Sequence, residues 1–334
     1  YSEKVACGPI QNTVRKFFRT SVMNFLKKQK FTIILNKKVM GFLIKESGEI
    51  YGVETDTGNI LADYVIVSAG VIGSCSLFMN EKNKKPNSNF SRLFIGENIQ
   101  DHTNLRVNVI SNKPIDSLNE VYDSQFKKLK LGIKHFLGIP TVMRGTGATS
   151  AAYLDLDKDG SIDTRIQILQ FSETGRHASK GSLFSTSEPS FSISINAIHP
   201  ESKGKLLFEK GKLEIDPKFL SSPKDIEILK SALRYCIELL KENPLNQHVL
   251  KIEDEELIES NPEKYIKDMM YSGHHLIGGL QDAIDSNFEV KGFKNLFVCD
   301  ASIFDQYIAS NIHSSVVLLS DLFGKKFIIN QLKT

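Results

Sequence analysis

Hydrophobic and polar positions change period along this chain, and each change predicts an element. Val14, Phe17, Phe18, Val22, Phe25 and Leu26 recur near helical spacing between basic residues, which predicts one amphipathic helix over 11–28. The next segments, Phe31–Leu35, Val39–Ile44, Tyr51–Thr55 and Tyr64–Val67, are short β-branched runs parted by turns rich in Asn, Gly and Asp, and they predict strands. The run Tyr64-Val-Ile-Val-Ser-Ala-Gly70 is apolar until its small last residues and leads into a helix over 71–79, as a buried strand does in a doubly wound sheet. Many strand-to-helix turns end in Ala-Gly for packing alone. Residues 104–200 read as strands and loops. Ser222 then caps a helix that opens on Pro223 and Asp225 and carries an apolar stripe through Ile226, Leu229, Leu233, Cys236 and Leu240. A helix over 254–270 breaks at Asn261-Pro262, a strand covers Leu296–Cys299, and a last helix runs over 314–323. No internal repeat or low-complexity tract interrupts this order.

A length of 334 residues suggests one large domain or two ordinary ones. No apolar run is long enough to span a bilayer, so no integral membrane segment is expected. The net charge of +3 is spread over lysines interleaved with acids, without the basic stripe that nucleic acid requires. The four cysteines form no Cys-x-x-Cys pair, which disfavours zinc or a redox dithiol and predicts buried small apolar residues. The start at Tyr1-Ser-Glu-Lys, neither an initiator methionine nor a signal peptide, reads as the later part of a longer chain. The compartment is therefore unknown, with a soluble, cytoplasmic protein favoured by composition.

Asp155-Leu-Asp-Lys-Asp-Gly-Ser-Ile-Asp163 follows the first nine positions of a calcium-binding EF-hand loop. Its twelfth position is Ile166 where a bidentate glutamate should close the shell, and its flanks read as strands. A hairpin turn with solvated acids and no metal site is expected, with weak calcium binding as the alternative.

Chemistry-bearing residues collect in three segments: Ile95-Gly-Glu-Asn-Ile-Gln-Asp-His102; Gly273-His-His-Leu-Ile-Gly-Gly279; and Asp300-Ala-Ser302 with Ser310-Asn-Ile-His-Ser-Ser315. Asp300 follows a buried strand, at the carboxyl end where α/β sheets bind ligands, and Asn311 stands at a helix start, whose unpaired N–H groups favour negative charge. Taken alone, adjacent histidines are more often structural than catalytic.

Together these segments resemble the glucose-methanol-choline (GMC) oxidoreductases, flavoenzymes that oxidise alcohols. Residues 95–102 match the family's Val-Gly-x-Asn-Leu-Gln-Asp-His, and the strand and helix from Val65 through Met79 look like its second signature. His275-Leu-Ile-Gly-Gly resembles its His-Pro-x-Gly-Thr/Gly, the run Phe288–Ser302 its Val-x-Gly-x-x-Asn-Leu-x-Val-x-Asp-Ala-Ser, and Asn311-Ile-His-Ser-Ser stands where Asn-Pro-x-x-Thr is usual. The family's amino-terminal Gly-x-Gly-x-x-Gly, which cradles the ADP half of FAD, is missing. Asp282, Ala283, Asp305 and Ile312 depart from the family's usual residues.

The resemblance implies an α/β and α+β fold: an incomplete doubly wound FAD-binding domain from residues 1–102 and 281–334, and an inserted antiparallel-sheet substrate domain, covered by helices, over 103–280. It implies FAD as cofactor, an alcohol as substrate, and oxygen, a quinone or a cytochrome as electron acceptor. By the same resemblance His275 is the general base, hydride passes to flavin N5, and Asn311 donates to the substrate oxygen. His275 is preferred to its neighbour His274 because it sets Gly278-Gly279 at the family's offset, and His313 either lines the site or caps its helix. Ala69, Gly70, Asp300 and Ala301 are expected at the cofactor, the Ile312 N–H at the flavin N1 and C2 carbonyl, and Val39 at the adenine. Asn98 and His102 are expected to fix the loop beside it. Two alternatives stay open: a hydroxynitrile-lyase-like enzyme on the same fold, and a truncated or split chain that is inactive alone.

Overall fold

The computed structural model describes residues 6–10, 14–15, 18–27, 29–122, 124–144, 147–173, 186–209, 212–309 and 311–332. The chain divides into two compact units, one of Tyr1–Phe31, Thr103–Ile198 and Pro223–Ser272, the other of Thr32–His102, His199–Ser222 and Gly273–Thr334.

The first unit is built on an antiparallel sheet. Its strands run in the order Ala6–Pro9, Ala148–Leu154, Thr164–Leu169, Ser190–Ala197, Thr103–Ser111, Val249–Ile252, and Tyr271–Ser272 also pairs with Thr103–Ser111. Ser190–Ala197 alternates serine with Phe191, Ile193 and Ile195, yet every residue is buried. Its polar face is satisfied internally: Ser192 Oγ donates to Phe171 O at 2.8 Å, and Arg165 donates to Asn196 at 3.0 Å. The helix Pro223–Lys241 lies against this strand and buries Leu229, Leu233, Cys236 and Leu240 of the expected stripe, with Ile226 half-buried.

In the second unit the parallel pair Val65–Val67 and Leu296–Val298 feeds the helix Gly70–Lys84. That helix buries Val71, Cys75, Phe78 and Met79 in one core with Phe42, Phe90, Leu296 and Val298. Phe42 comes from a three-stranded antiparallel sheet, Val39–Ile44, Ile50–Thr55 and Gly58–Leu61. The protein is thus a mixed α/β structure with antiparallel sheets, as expected. The unit boundaries differ from the expected division, since residues 199–222 and 273–280 join the second unit and 1–31 the first. Lacing of residues 273–280 onto the segment 95–102 accounts for part of this difference.

Several local expectations are corrected. Residues 11–13, 16–17 and 28 of the expected helix lie outside the described residues; among the described ones Val14–Arg15 pairs with Phe18–Arg19 and Val22–Leu26 is helical. Val22 and Met23 are exposed, and apolar side chains left in water add little to a short helix. Phe31–Leu35 forms no strand, and Phe31, Ile33, Ile34 and Leu35 are exposed. Among the described residues of 104–200, Leu118–Tyr122 and Gln125–Phe136 are α-helices that the strand-and-loop reading lacks. Cys75, Cys236 and Cys299 are buried as expected, whereas Cys7 is exposed on its edge strand. Burial pushes the Cys75 thiol up to about 12 and raises those of Cys236 and Cys299.

The acidic turn joins two strands, as expected of a hairpin. Its carboxylates serve the turn's own backbone: Asp155 accepts from Gly160 N at 3.0 Å, Asp159 from Ser161 N at 2.7 Å, and Asp163 from Leu156 N at 2.9 Å. Among the described residues no helix is long and apolar enough to cross a membrane.

Candidate active site

The three chemistry-bearing segments converge within the second unit, tied by backbone hydrogen bonds. Gly96 N donates to Gly279 O at 2.7 Å, and Gln100 and Ile277 exchange N–H···O bonds of 3.1 and 3.0 Å. Gly278 N donates to Ala301 O at 3.0 Å and Leu280 N to Ser302 O at 2.8 Å. Such close lacing needs residues that tolerate positive φ. Gly278 (φ 85°) and Gly279 (φ 100°) supply it on one side, Gly96 (φ 78°) and Asn98 (φ 55°) on the other. This explains why two glycines follow the histidines.

The lacing brings His275 beside His102. Their Nδ1 atoms are 3.1 Å apart, and His275 Nε2 is 2.9 Å from Asn311 Nδ2. An amide NH2 can only donate, so His275 Nε2 accepts, and the neutral ring carries its proton on Nδ1. That proton is donated to His102 Nδ1, which leaves the His102 proton on Nε2. The His275 backbone is fixed at both ends. Its N–H donates to Asp101 Oδ1 at 2.9 Å, and its carbonyl accepts from the Tyr307 hydroxyl at 2.8 Å. The same hydroxyl accepts from His102 N at 2.7 Å, and its ring lies 4.2 Å from the imidazole of the buried His102.

Asn311 directly precedes Ile312, the residue that opens the helix His313–Phe327. The unpaired N–H groups and positive dipole end of that helix therefore lie next to the amide that meets His275.

At the end of Val65–Val67, Gly70 (φ 73°) opens its helix with clear space where a side chain would stand. Asp300 organises this turn: one carboxylate oxygen accepts from Gly70 N at 2.9 Å and Ser74 Oγ at 2.5 Å, the other from Ser302 N at 2.8 Å. Asp300→Ala is expected to lower stability by about 2–4 kcal/mol, because buried donors lose a charged acceptor. A shift of the urea midpoint at constant slope would record it, and an unchanged midpoint would deny Asp300 this role.

The remaining predicted residues fall as follows. His274 is exposed and occupies the left-handed region (φ 58°), while His275 is half-buried in the cluster. Ala69 caps the helix Gly70–Lys84, Ala301 is buried beside Asp300, and Val39 opens its strand at an exposed position. His313 is exposed in the first turn of its helix. Sequence reasoning missed Asp101 as the acceptor for the His275 N–H, and Tyr307 altogether. Asp101 lies in a quoted motif and was there to be found, but nothing local marks Tyr307, which lies 205 positions from His102.

A family model described as GMC oxidoreductase matches residues 200–320. An oxygen-dependent choline dehydrogenase from Vibrio vulnificus (strain YJ016) is 23% identical over 357 residues, covering 94% of this chain and 61% of its own length. The Drosophila melanogaster "neither inactivation nor afterpotential protein G" is 25% identical over 161 residues, 41% of this chain and 28% of its own. Among solved structures, pyridoxine 4-oxidase from Mesorbium loti superposes with a TM-score of 0.77 at 19% identity, covering 98% of this chain and 65% of that one. A formate oxidase from Aspergillus oryzae gives 0.84 at 17% identity, covering 96% and 64%. The chain thus spans about three fifths of the length of the first of these relatives. Residues 200–320 thus match the GMC oxidoreductase model, and the 95–102 segment, the histidine, the Asp-Ala-Ser turn and the last helix stand in the order of the family that the chain is similar to.

Proposed function

We propose that this chain is the catalytic portion of an FAD-dependent oxidoreductase acting on the CH–OH group of a small alcohol. The observation that carries the reading is the His275 Nε2 to Asn311 Nδ2 approach of 2.9 Å at the start of a helix, with the rest of the imidazole held by His102, Asp101 and Tyr307.

The residues present fit the flavin. Gly70 leaves open space over a strand-to-helix turn, and the start of the last helix offers N–H groups for an electron-rich ring edge. Ala69, Gly70, Asp300, Ala301 and Ile312 would line that cofactor, with Asn98 shaping the loop beside it and Val39 reaching the adenine. Asp300 would act from behind, through the turn it holds. The unit containing this site is read as the cofactor-binding part and the antiparallel-sheet unit as the substrate-binding part. FAD, when bound, supplies the acceptor for the hydride.

The protein's own residues handle the proton and the orientation. The substrate hydroxyl would take the place of Asn311 as donor to His275 Nε2, on the side of the ring away from the nitrogen engaged by His102. Asn311 would donate to the same hydroxyl oxygen and hold the alkoxide that develops as the proton leaves. Because Asp101 and Tyr307 grip both backbone ends of His275, the base needs no reorganisation at the moment of transfer.

Visible absorption of the purified chain before and after addition of FAD, followed by a panel of alcohols, tests the proposal. A bound flavin spectrum that bleaches with an alcohol is the expected result. A chain that takes up no flavin would overturn cofactor binding by these segments. A bound flavin that no alcohol reduces, with a cyanohydrin cleaved instead, would replace the redox reading with the lyase one.

A further inference from the structure

The helix Gln125–Phe136 has two apolar faces, and only one of them is covered. Ser124 caps it, accepting from Lys127 N at 3.3 Å. Leu131 is buried in a small core with Val121 and Val142. Phe126, Leu129, Ile133, Phe136 and the following Leu137 are instead 75, 63, 52, 81 and 71% exposed. At 100° per residue these five occupy an arc roughly 100° wide, on the far side of the helix from Leu131. Tyr122, Ile139 and Met143 extend the exposed apolar surface beyond both ends.

The charges on this helix have one sign. Lys127, Lys128, Lys130 and Lys134 flank the arc, and the helix contains no acid. Lys128 lies 5.3 Å from the Tyr122 ring and Lys134 3.2 Å from Asp116, while Lys127 and Lys130 are exposed, Lys130 one turn from Phe126. Two copies of this face meeting about a twofold axis would bring lysines against lysines. A surface of anionic headgroups over acyl chains complements both features at once, because the aromatic and aliphatic tips can enter the acyl boundary while the lysines meet phosphate. The helix is too short to span a bilayer, so it would lie in the plane of the interface.

We propose that the exposed face of Gln125–Phe136, continued by Leu137, seats this protein on an anionic lipid surface. The seating is independent of the redox chemistry and requires neither flavin nor alcohol.

The chain contains no tryptophan, so Phe136→Trp introduces a single reporter on the arc and Phe94→Trp one on an exposed site in the other unit. Each full-length variant is mixed with phosphatidylcholine vesicles and with phosphatidylcholine–phosphatidylglycerol vesicles. The expected result is a blue shift of the Phe136→Trp emission with the anionic vesicles, weakened by salt, and none for Phe94→Trp. Co-sedimentation of the wild-type chain with the anionic vesicles should fall about 10-fold or more in Phe126→Ser/Phe136→Ser and in Lys127→Glu/Lys130→Glu. Circular dichroism should be unchanged in both, since every altered side chain is exposed. No sedimentation of the wild-type chain with anionic vesicles, or sedimentation that both double variants retain, would overturn the proposal. So would a lipid-free dimer that Phe126→Ser/Phe136→Ser converts to monomer, because the face would then belong to a second copy.

Discussion

His275→Ala, made in the flavin-loaded enzyme, is expected to slow alcohol-dependent flavin reduction by about 100-fold or more, the usual scale for loss of a general base. Removing the imidazole leaves Asn311 and the helix start in place but nothing to take the proton as hydride departs. His274→Ala is the informative neighbour. His274 is exposed at a left-handed backbone position, and its loss should leave the reduction rate within a few-fold of wild type. Rapid-mixing measurement of flavin bleaching distinguishes the two. Equal losses in both variants, or an unchanged rate for His275→Ala, would remove His275 from the role of base. Flavin absorption before mixing serves as the control that the cofactor is still bound.

The second large effect concerns the fold around that histidine. A methyl group on Gly278 would stand 2.6 Å from the carbonyl oxygen of Asn98, at a backbone φ of 85°. The left-handed conformation alone costs a non-glycine residue roughly 1–2 kcal/mol. The clash is with backbone, which cannot rotate away as a side chain could, and Asn98 is itself at positive φ in the loop laced to residues 273–280. Gly278→Ala should therefore destabilise the protein by about 3–4 kcal/mol, at the upper end of single-substitution effects. Gly160 offers the matched comparison, since it has a similar φ of 91° and nothing within 4 Å of the added methyl. Gly160→Ala should cost only about 1–2 kcal/mol. Urea unfolding of the two variants measures the difference, and equal midpoints would show that the approach to Asn98 is not tight in solution.

What the sequence disclosed about this site depended on how local the information is. The 95–102 segment, the paired glycines after His275 and the Asp-Ala-Ser turn each carry their constraint within a few residues, and all three meet as expected. The long helix Pro223–Lys241 was equally legible, because its opening proline and its apolar stripe agree. The predicted helix over 11–28 appears among the described residues only as Val22–Leu26: periodicity becomes structure where burial supports it, and Val22 and Met23 are exposed. Gln125–Phe136 hid in a reading that searched for strands, since its apolar positions serve an outward face as well as an inward one. His102 was expected only to fix a loop, yet it meets His275 at a separation of 173 residues, a contact that no window of sequence contains.

The distribution of the four thiols has a practical consequence. A native chain offers a labelling reagent Cys7 alone, because Cys75, Cys236 and Cys299 are buried and burial holds their thiolates back. Cys236 belongs to the unit built on the long antiparallel sheet, and Cys75 and Cys299 to the unit that carries His275. Each unit thus contains its own clock: pulse alkylation followed by peptide mass spectrometry would time its opening without any engineered probe. If the units unfold separately, the label will reach Cys236 and the Cys75–Cys299 pair at different rates.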